Sequence, residues 1–320
     1  MNNIGLKTPL NRLRVIMNRI KQIFVISVFL TTISCTNKSM EESSNGTGRF
    51  SYKSGHVAFT NYGNNIGAIY YTTNIDSVAQ QLTFPKEGSD IVFDLSKDLS
   101  KILYINYPEA KMEVCNICLY DLKDKKADTL LANGKLITSV LLSSNGQYVY
   151  FTSAAEIRNY SPIARKAPHG MDIFEITIEN KQIRKLTSLN AYSIQGLTTT
   201  PNDSSIAVNI FDKNGLGLVS TKTGKFNKLR INSSRNEVEE YFFAVDIKRD
   251  SMIYLAPYEL YKYNFKTNAS EFILRCPGGG QCDVVQPDSS WTNILIGEGD
   301  QTYLYNLSAK RFTEVNLKIK

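Results

Sequence analysis

Ser143-Ser144-Asn145-Gly146-Gln147-Tyr148-Val149-Tyr150-Phe151 is a short polar turn that runs straight into an aromatic and β-branched strand. Ser, Asn and Gly supply the side-chain capping and left-handed backbone of a tight turn, and Tyr-Val-Tyr-Phe suits a pleated sheet. The same pairing recurs. Ser96-Lys97-Asp98-Leu99 precedes Ile102-Leu103-Tyr104-Ile105, and Thr200-Pro201-Asn202-Asp203 precedes Ile206-Ala207-Val208. Ile247-Lys248-Arg249-Asp250 precedes Met252-Ile253-Tyr254-Leu255, and Gln286-Pro287-Asp288-Ser289 comes before Ile294-Leu295-Ile296. A fainter copy sets Ser54-Gly55 before His56-Val57-Ala58-Phe59. The copies stand about 40 to 57 residues apart.

Outward from each turn the order of segments repeats: an apolar run, the turn, a second run, a loop, a third run, and a short closing run. From about residue 50 onward no segment carries a helical period, so each unit reads as four strands. Such a unit cannot bury both faces alone. Packed radially around an axis, units bury them against neighbours and leave only short edges. The expectation is an all-β chain, a six-bladed β-propeller of four-stranded blades over residues 50–320, with no second folded domain. A β-sandwich would not return its strands in this order at this period.

The repeat resembles a known family. Its turn is similar to the Ser-Pro-Asp-Gly of the TolB-like, or WD40-like, propeller repeat, although no copy here is complete. Gln81-Leu82-Thr83 and Lys185-Leu186-Thr187 resemble that family's Arg-Leu-Thr closure, and Asp172-Ile173-Phe174 its Asp-Ile-Tyr strand. TolB's additional N-terminal α/β domain has no counterpart in these residues. The resemblance implies an envelope propeller used as a binding scaffold, an expectation that rests on fold-level analogy.

The first residues read as targeting. Met17-Asn18-Arg19-Ile20-Lys21 is basic, Ile23 to Leu30 is apolar, and small residues precede Cys35. The apolar run is far shorter than the roughly 20 residues of a membrane span. Residues 1–34 are therefore expected to be a lipoprotein-type signal with its native start at Met17. Cys35 is the expected lipidation site, and polar residues 35–49 form a tether. The pattern resembles a lipoprotein signal, whose usual large aliphatic residue three before the cysteine is here Thr32. The expected location is the cell envelope, lipid-anchored to the outer membrane. The formal charge of +7 is largely the leader's: without its five basic residues, 32 basic stand against 30 acidic. Such a balanced body has no general claim on nucleic acid.

Motifs for catalysis are missing from the sequence: no Gly-x-Ser-x-Gly elbow, phosphate loop or His-Glu-x-x-His. Only His56 and His169 are present, and neither sits in a metal-ligand cluster, so no cofactor or metal is expected. Chain alternation puts the second-to-third-strand loops and the blade-to-blade links at one end of the ring. The elaborate segments all fall there: Asn106–Glu113, Ala154–Gly170, Asn232–Glu240 and Cys276–Cys282. Long loops on a rigid scaffold carry function. Arg158, Tyr160, Arg165, Lys166 and His169 are the candidate contacts, suited to acidic groups. A solvated cover over the channel is the competing reading of that loop.

Four cysteines remain after Cys35. Cys276-Pro-Gly-Gly-Gly-Gln-Cys282 brings its ends within disulfide reach. Cys115 and Cys118, three apart on a strand, point to opposite faces and bond only if Cys115-Asn116 belongs to a turn. The leading functional expectation is a non-enzymatic module binding an envelope protein or a glycan, touching membrane only through its lipid. The alternative is a periplasmic polysaccharide-degrading enzyme of the oligosaccharide lyase kind.

Overall fold

The computed structural model falls into two units, residues 1–43 and 44–320. It describes residues 46–109, 113–159, 166–211, 215–231 and 242–319. Cys35 and the leader lie outside the described residues, as do Tyr160 and Arg165. Every element among the described residues is a strand.

The chain is all-β and arranged as a propeller. Four four-stranded antiparallel sheets are separate from one another. One is Ile137–Leu142, Tyr148–Ser153, Asp172–Thr177 and Ile183–Lys185; the next is Ile194–Thr199, Ser205–Ile210, Gly215–Ser220 and Phe226–Lys228. Then come Phe243–Lys248, Ser251–Ala256, Glu259–Asn264 and Ala269–Arg275, followed by Val284–Pro287, Asn293–Glu298, Gln301–Asn306 and Arg311–Glu314. The N-terminal part is a single eight-stranded sheet. Within it, Gly46–Lys53, His56–Gly63, Ile66–Thr72 and Gln80–Gln81 form one antiparallel set. Ser89–Leu95, Lys101–Tyr107, Val114–Asp121 and Lys126–Lys135 form another, joined to the first by one parallel pairing, Gly67 with Ser89. The first strand begins at Gly46, inside the stretch read as tether.

The first strands contact one another in a closed series. Gly46–Lys53 meets Ser89–Leu95, which meets Ile137–Leu142, then Ile194–Thr199, Phe243–Lys248 and Val284–Pro287, which returns to Gly46–Lys53. Each second strand is apolar without alternation because successive side chains enter different interfaces. Ile102 packs toward Ala58 and Ile69, whereas Leu103 packs toward Val140 and Phe151. Tyr150 joins Ile206 and Val208; Ala207 joins Tyr254; Ile253 joins Ile294 and Ile296; Leu295 closes against Phe50 and Phe59. Burying such residues on both faces, at about 1.5–3 kcal/mol for each large side chain, is the main force holding the ring.

The recurring turn is a hydrogen-bonding device. The Ser96 hydroxyl accepts from the N–H groups of Ser100 and Lys101, and the Ser143 hydroxyl from those of Gln147 and Tyr148. Each hydroxyl donates in turn to the third turn residue, Asp98 or Asn145. The fourth residue is left-handed: Leu99 at φ 61°, Gly146 at 69°, Asp203 at 54°. In the last sheet the equivalent turn is Asp288–Trp291, not Gln286–Ser289. Asp288 takes the first position because its carboxylate accepts from Thr292 and Asn293 N–H as a serine hydroxyl does elsewhere. The Leu-Thr closures are also structural. Thr187 accepts the Ile173 N–H and donates to Asp172, and Thr83 accepts the Ile69 N–H.

Candidate functional site

Antiparallel pairing places Gly46 beside Tyr62 and Ser89 beside Tyr107, so the starts of first strands and the ends of second strands share one end of the ring. The described parts of Asn106–Glu113 and Ala154–Gly170 and the loop Cys276–Cys282 stand at this end, whereas Asn232–Glu240 lies outside the described residues. Ala154–Gly170, expected as a loop, contains a hairpin of its own: Glu156–Asn159 pairs with Lys166–His169. Arg158 and Lys166 therefore sit on opposing strands, Arg158 across from Ala167 and Lys166 across from Asn159.

His169 closes that hairpin and is 6% exposed. Its ring lies 5.0 Å from that of Tyr192, which lies 6.4 Å from Phe211. The histidine is thus the inner end of an aromatic row whose other two members are half-buried at the rim. Sequence reasoning listed His169 as a contact and missed Tyr192 and Phe211, which come from a sheet-to-sheet link and a strand end far apart in the chain.

Cys276 and Cys282 are bonded, with an S–S distance of 2.01 Å. The loop between them folds over Glu298, whose carboxylate accepts the N–H groups of Gly278 and Gly280. A Cβ on Gly278 would lie 2.6 Å from that carboxylate, so a side chain there would have to displace the Glu298 end that the loop folds over. Cys115 and Cys118 are free and buried within one regular strand. A bond between them does not form because Cys115 belongs to the Leu103 interface and Cys118 to the Ile102 interface, on opposite faces. Burial pushes the Cys115 thiol up to about 11, which leaves it inert near neutrality.

Nearer the axis, two first strands bulge. Arg49 lies in the irregularity between Thr47 and Phe50, and Phe93 in the one between Val92 and Asp94. The Arg49 guanidinium stands 4.3 Å over the Phe93 ring. It reaches solvent, yet surrounding protein strips away enough water to lower its pKa, with Tyr107, Tyr62 and Asp94 acting the other way. Tyr62 is seated against backbone: a Cβ on Gly48 would come 2.6 Å from its ring, and one on Gly67 2.9 Å.

The opposite end carries the capped turns. There Lys53 pairs with Asp94 at 2.7 Å, and Asp94 also accepts the Leu142 N–H from the next sheet. The Trp291 indole N–H donates to Asp246, and Lys248 lies 4.8 Å over the Trp291 ring. Burial raises the Asp246 pKa against the pull of that bond and of Lys248 and Lys53. The Asn145 turn is tied sideways, since Asp203 accepts the Ser144 and Asn145 N–H groups.

Solved structures share this architecture. TolB from Acinetobacter baumannii aligns with a TM-score of 0.57 at 12% identity, over 83% of this chain and 64% of that one. An oligogalacturonate lyase in complex with manganese aligns at 0.55 and 14%, over 81% of this chain and 73% of that one. The fold is a TolB-type β-propeller. An oligogalacturonate lyase from Vibrio parahaemolyticus matches the propeller similarly, at 0.54 and 14% identity over 85% and 79% of the two chains. No protein-family model matches this sequence, and no curated protein does either.

Proposed function

We propose that this chain is a non-enzymatic envelope lipoprotein, anchored through Cys35, whose propeller binds a protein or glycan at its loop-rich end. We count its blades as six, the eight-stranded sheet being two blades that touch at one pairing. The closed series of first strands supports that count. The observation that carries the binding reading is the asymmetry of the two ends. One end presents an extra hairpin, a half-buried aromatic row and a disulfide loop. At the other, turn polar groups are used up in capping bonds.

The lyase reading draws on fold likeness alone. The solved lyase is described with manganese. Among the described residues, no three His, Cys, Asp or Glu side chains gather into a group that could hold a metal ion. The residues described do not fit that cofactor.

The test has two arms on the tagged full-length chain. Wild type should partition into detergent, and Cys35→Ala should not. From the extract, partner capture should fall when Arg158, Tyr160, Arg165 and Lys166 are changed to alanine. It should persist with Asn145→Ala and Asn202→Ala at the other end. The reverse pattern of capture rejects the face assignment, and a detergent-free wild type rejects the anchor.

A further inference from the structure

We infer that Arg49, Phe93, Tyr62 and Tyr107 form a binding site for an organic carboxylate at the axis of the propeller. This goes beyond the rim-binding reading and needs no residue of the hairpin.

Four observations converge. First, Arg49 is exposed although it lies on an innermost strand, whose one strand partner among the described residues is His56–Gly63 and whose other edge borders the axis. Second, its charge is unspent. Among the described residues no carboxylate lies within ion-pair distance of it. The nearby Asp94 is already committed to Lys53 and to the Leu142 and Leu95 N–H groups. Third, the group is posed. Phe93 supports one face of the guanidinium at 4.3 Å, which leaves its planar fork of donors to face a ligand. Fourth, the flanking tyrosines are held in place: Tyr62 by the two glycine backbones it rests on, Tyr107 by burial.

A guanidinium fork matches the two oxygens of a carboxylate. An unpaired cation in a crowded, partly dehydrated place gains more from such a partner than one on an open surface. Tyrosine hydroxyls add donors without adding charge. The carboxylate could belong to a peptide terminus or to a sugar acid; the chemistry recognised is common to both.

Isothermal titration of the full-length chain separates these sources. The probes are trialanine against its C-terminal amide, and glucuronate against glucose. At least one acid should bind saturably while its neutral counterpart does not, and the acid that binds names the source. Arg49→Gln should weaken that binding roughly tenfold or more, the loss of a charge-assisted bond. Arg49→Lys should also weaken it, because an ammonium keeps the charge and loses the fork. Tyr62→Phe keeps the ring on its glycines and should weaken binding several-fold with an unchanged melting temperature. The hairpin variant should titrate like wild type, so the rim reading and this one fail separately. If neither acid binds, or if Arg49→Gln binds as wild type does, the inference is wrong.

Discussion

Asp90 shows how a single carboxylate works in this scaffold. It is buried, accepts from the Asn106 amide at 2.8 Å, and is flanked by Thr83. Burial is the largest influence and raises its pKa above 3.8, outweighing the two hydrogen bonds. The folded state therefore holds this proton more tightly than the unfolded state. Stability associated with Asp90 is present at low pH and is lost as pH rises through the folded pKa. Asp98 has the opposite sign: bonds led by the Ser96 hydroxyl lower its pKa, so its contribution is present above the ordinary carboxylate range and lost on acidification. Asp90→Asn keeps an acceptor for Asn106 and removes the buried charge. Its stability relative to wild type should rise between pH 3 and pH 7, measured by denaturant unfolding across a pH series. A difference that falls over the same range would show the charge to be favoured where it sits.

At the scale of elements, strand positions were legible because turn and strand signals coincide every few dozen residues. Ile102–Ile105, Tyr148–Phe151, Ile206–Val208, Met252–Leu255 and Ile294–Ile296 all lie within strands. Register was less legible where one residue type substitutes for another in the same bonds. Asp288 stands in for serine, which displaced the last turn by two residues, and Trp291 at φ 61° occupies a place where glycine is the usual signal. The hairpin inside Ala154–Gly170 was hidden because Pro168 and the short runs beside it look like loop. The axial group around Arg49 was invisible for a different reason: its members come from four strands, and two of them owe their direction to bulges. The disulfide loop was read from spacing alone, and its closure makes a prediction. In the chain-entropy model a loop this short is worth about 2 kcal/mol. Cys276→Ser should lower the melting temperature of oxidised protein by a few degrees and leave reduced protein almost unchanged. Equal loss under both conditions would assign the effect to packing, since Cys276 and Cys282 are themselves buried among Leu274 and Val285.

For the ring as a whole, the question is what keeps its first and last sheets together. Each of these sheets is built from its own end of the chain, so no strand is exchanged between them. The seam relies on packing and on the C-terminal tail. Phe50, Val57 and Phe59 meet Leu295, and the tail adds Val315 and Leu317 to the same cluster. Past the last strand the chain crosses to the first sheet, where the Ala79 N–H donates to the Lys318 carbonyl at 2.8 Å and Ala79 bridges Ile319 in parallel. Two half-buried aliphatic side chains at about 1 kcal/mol each, with a net backbone bond of about 1 kcal/mol, put the tail near 3 kcal/mol. Deleting residues 315–320 should therefore cost stability out of proportion to its length. Leu317→Ala, which keeps the backbone bridge, should cost roughly a third as much. Hydrogen exchange gives the spatial readout: protection should fall first in His56–Gly63 and Asn293–Glu298, either side of the seam, and last in Ser205–Ile210. A uniform fall would mean that the ring opens as one cooperative unit and that the tail does not act as its latch.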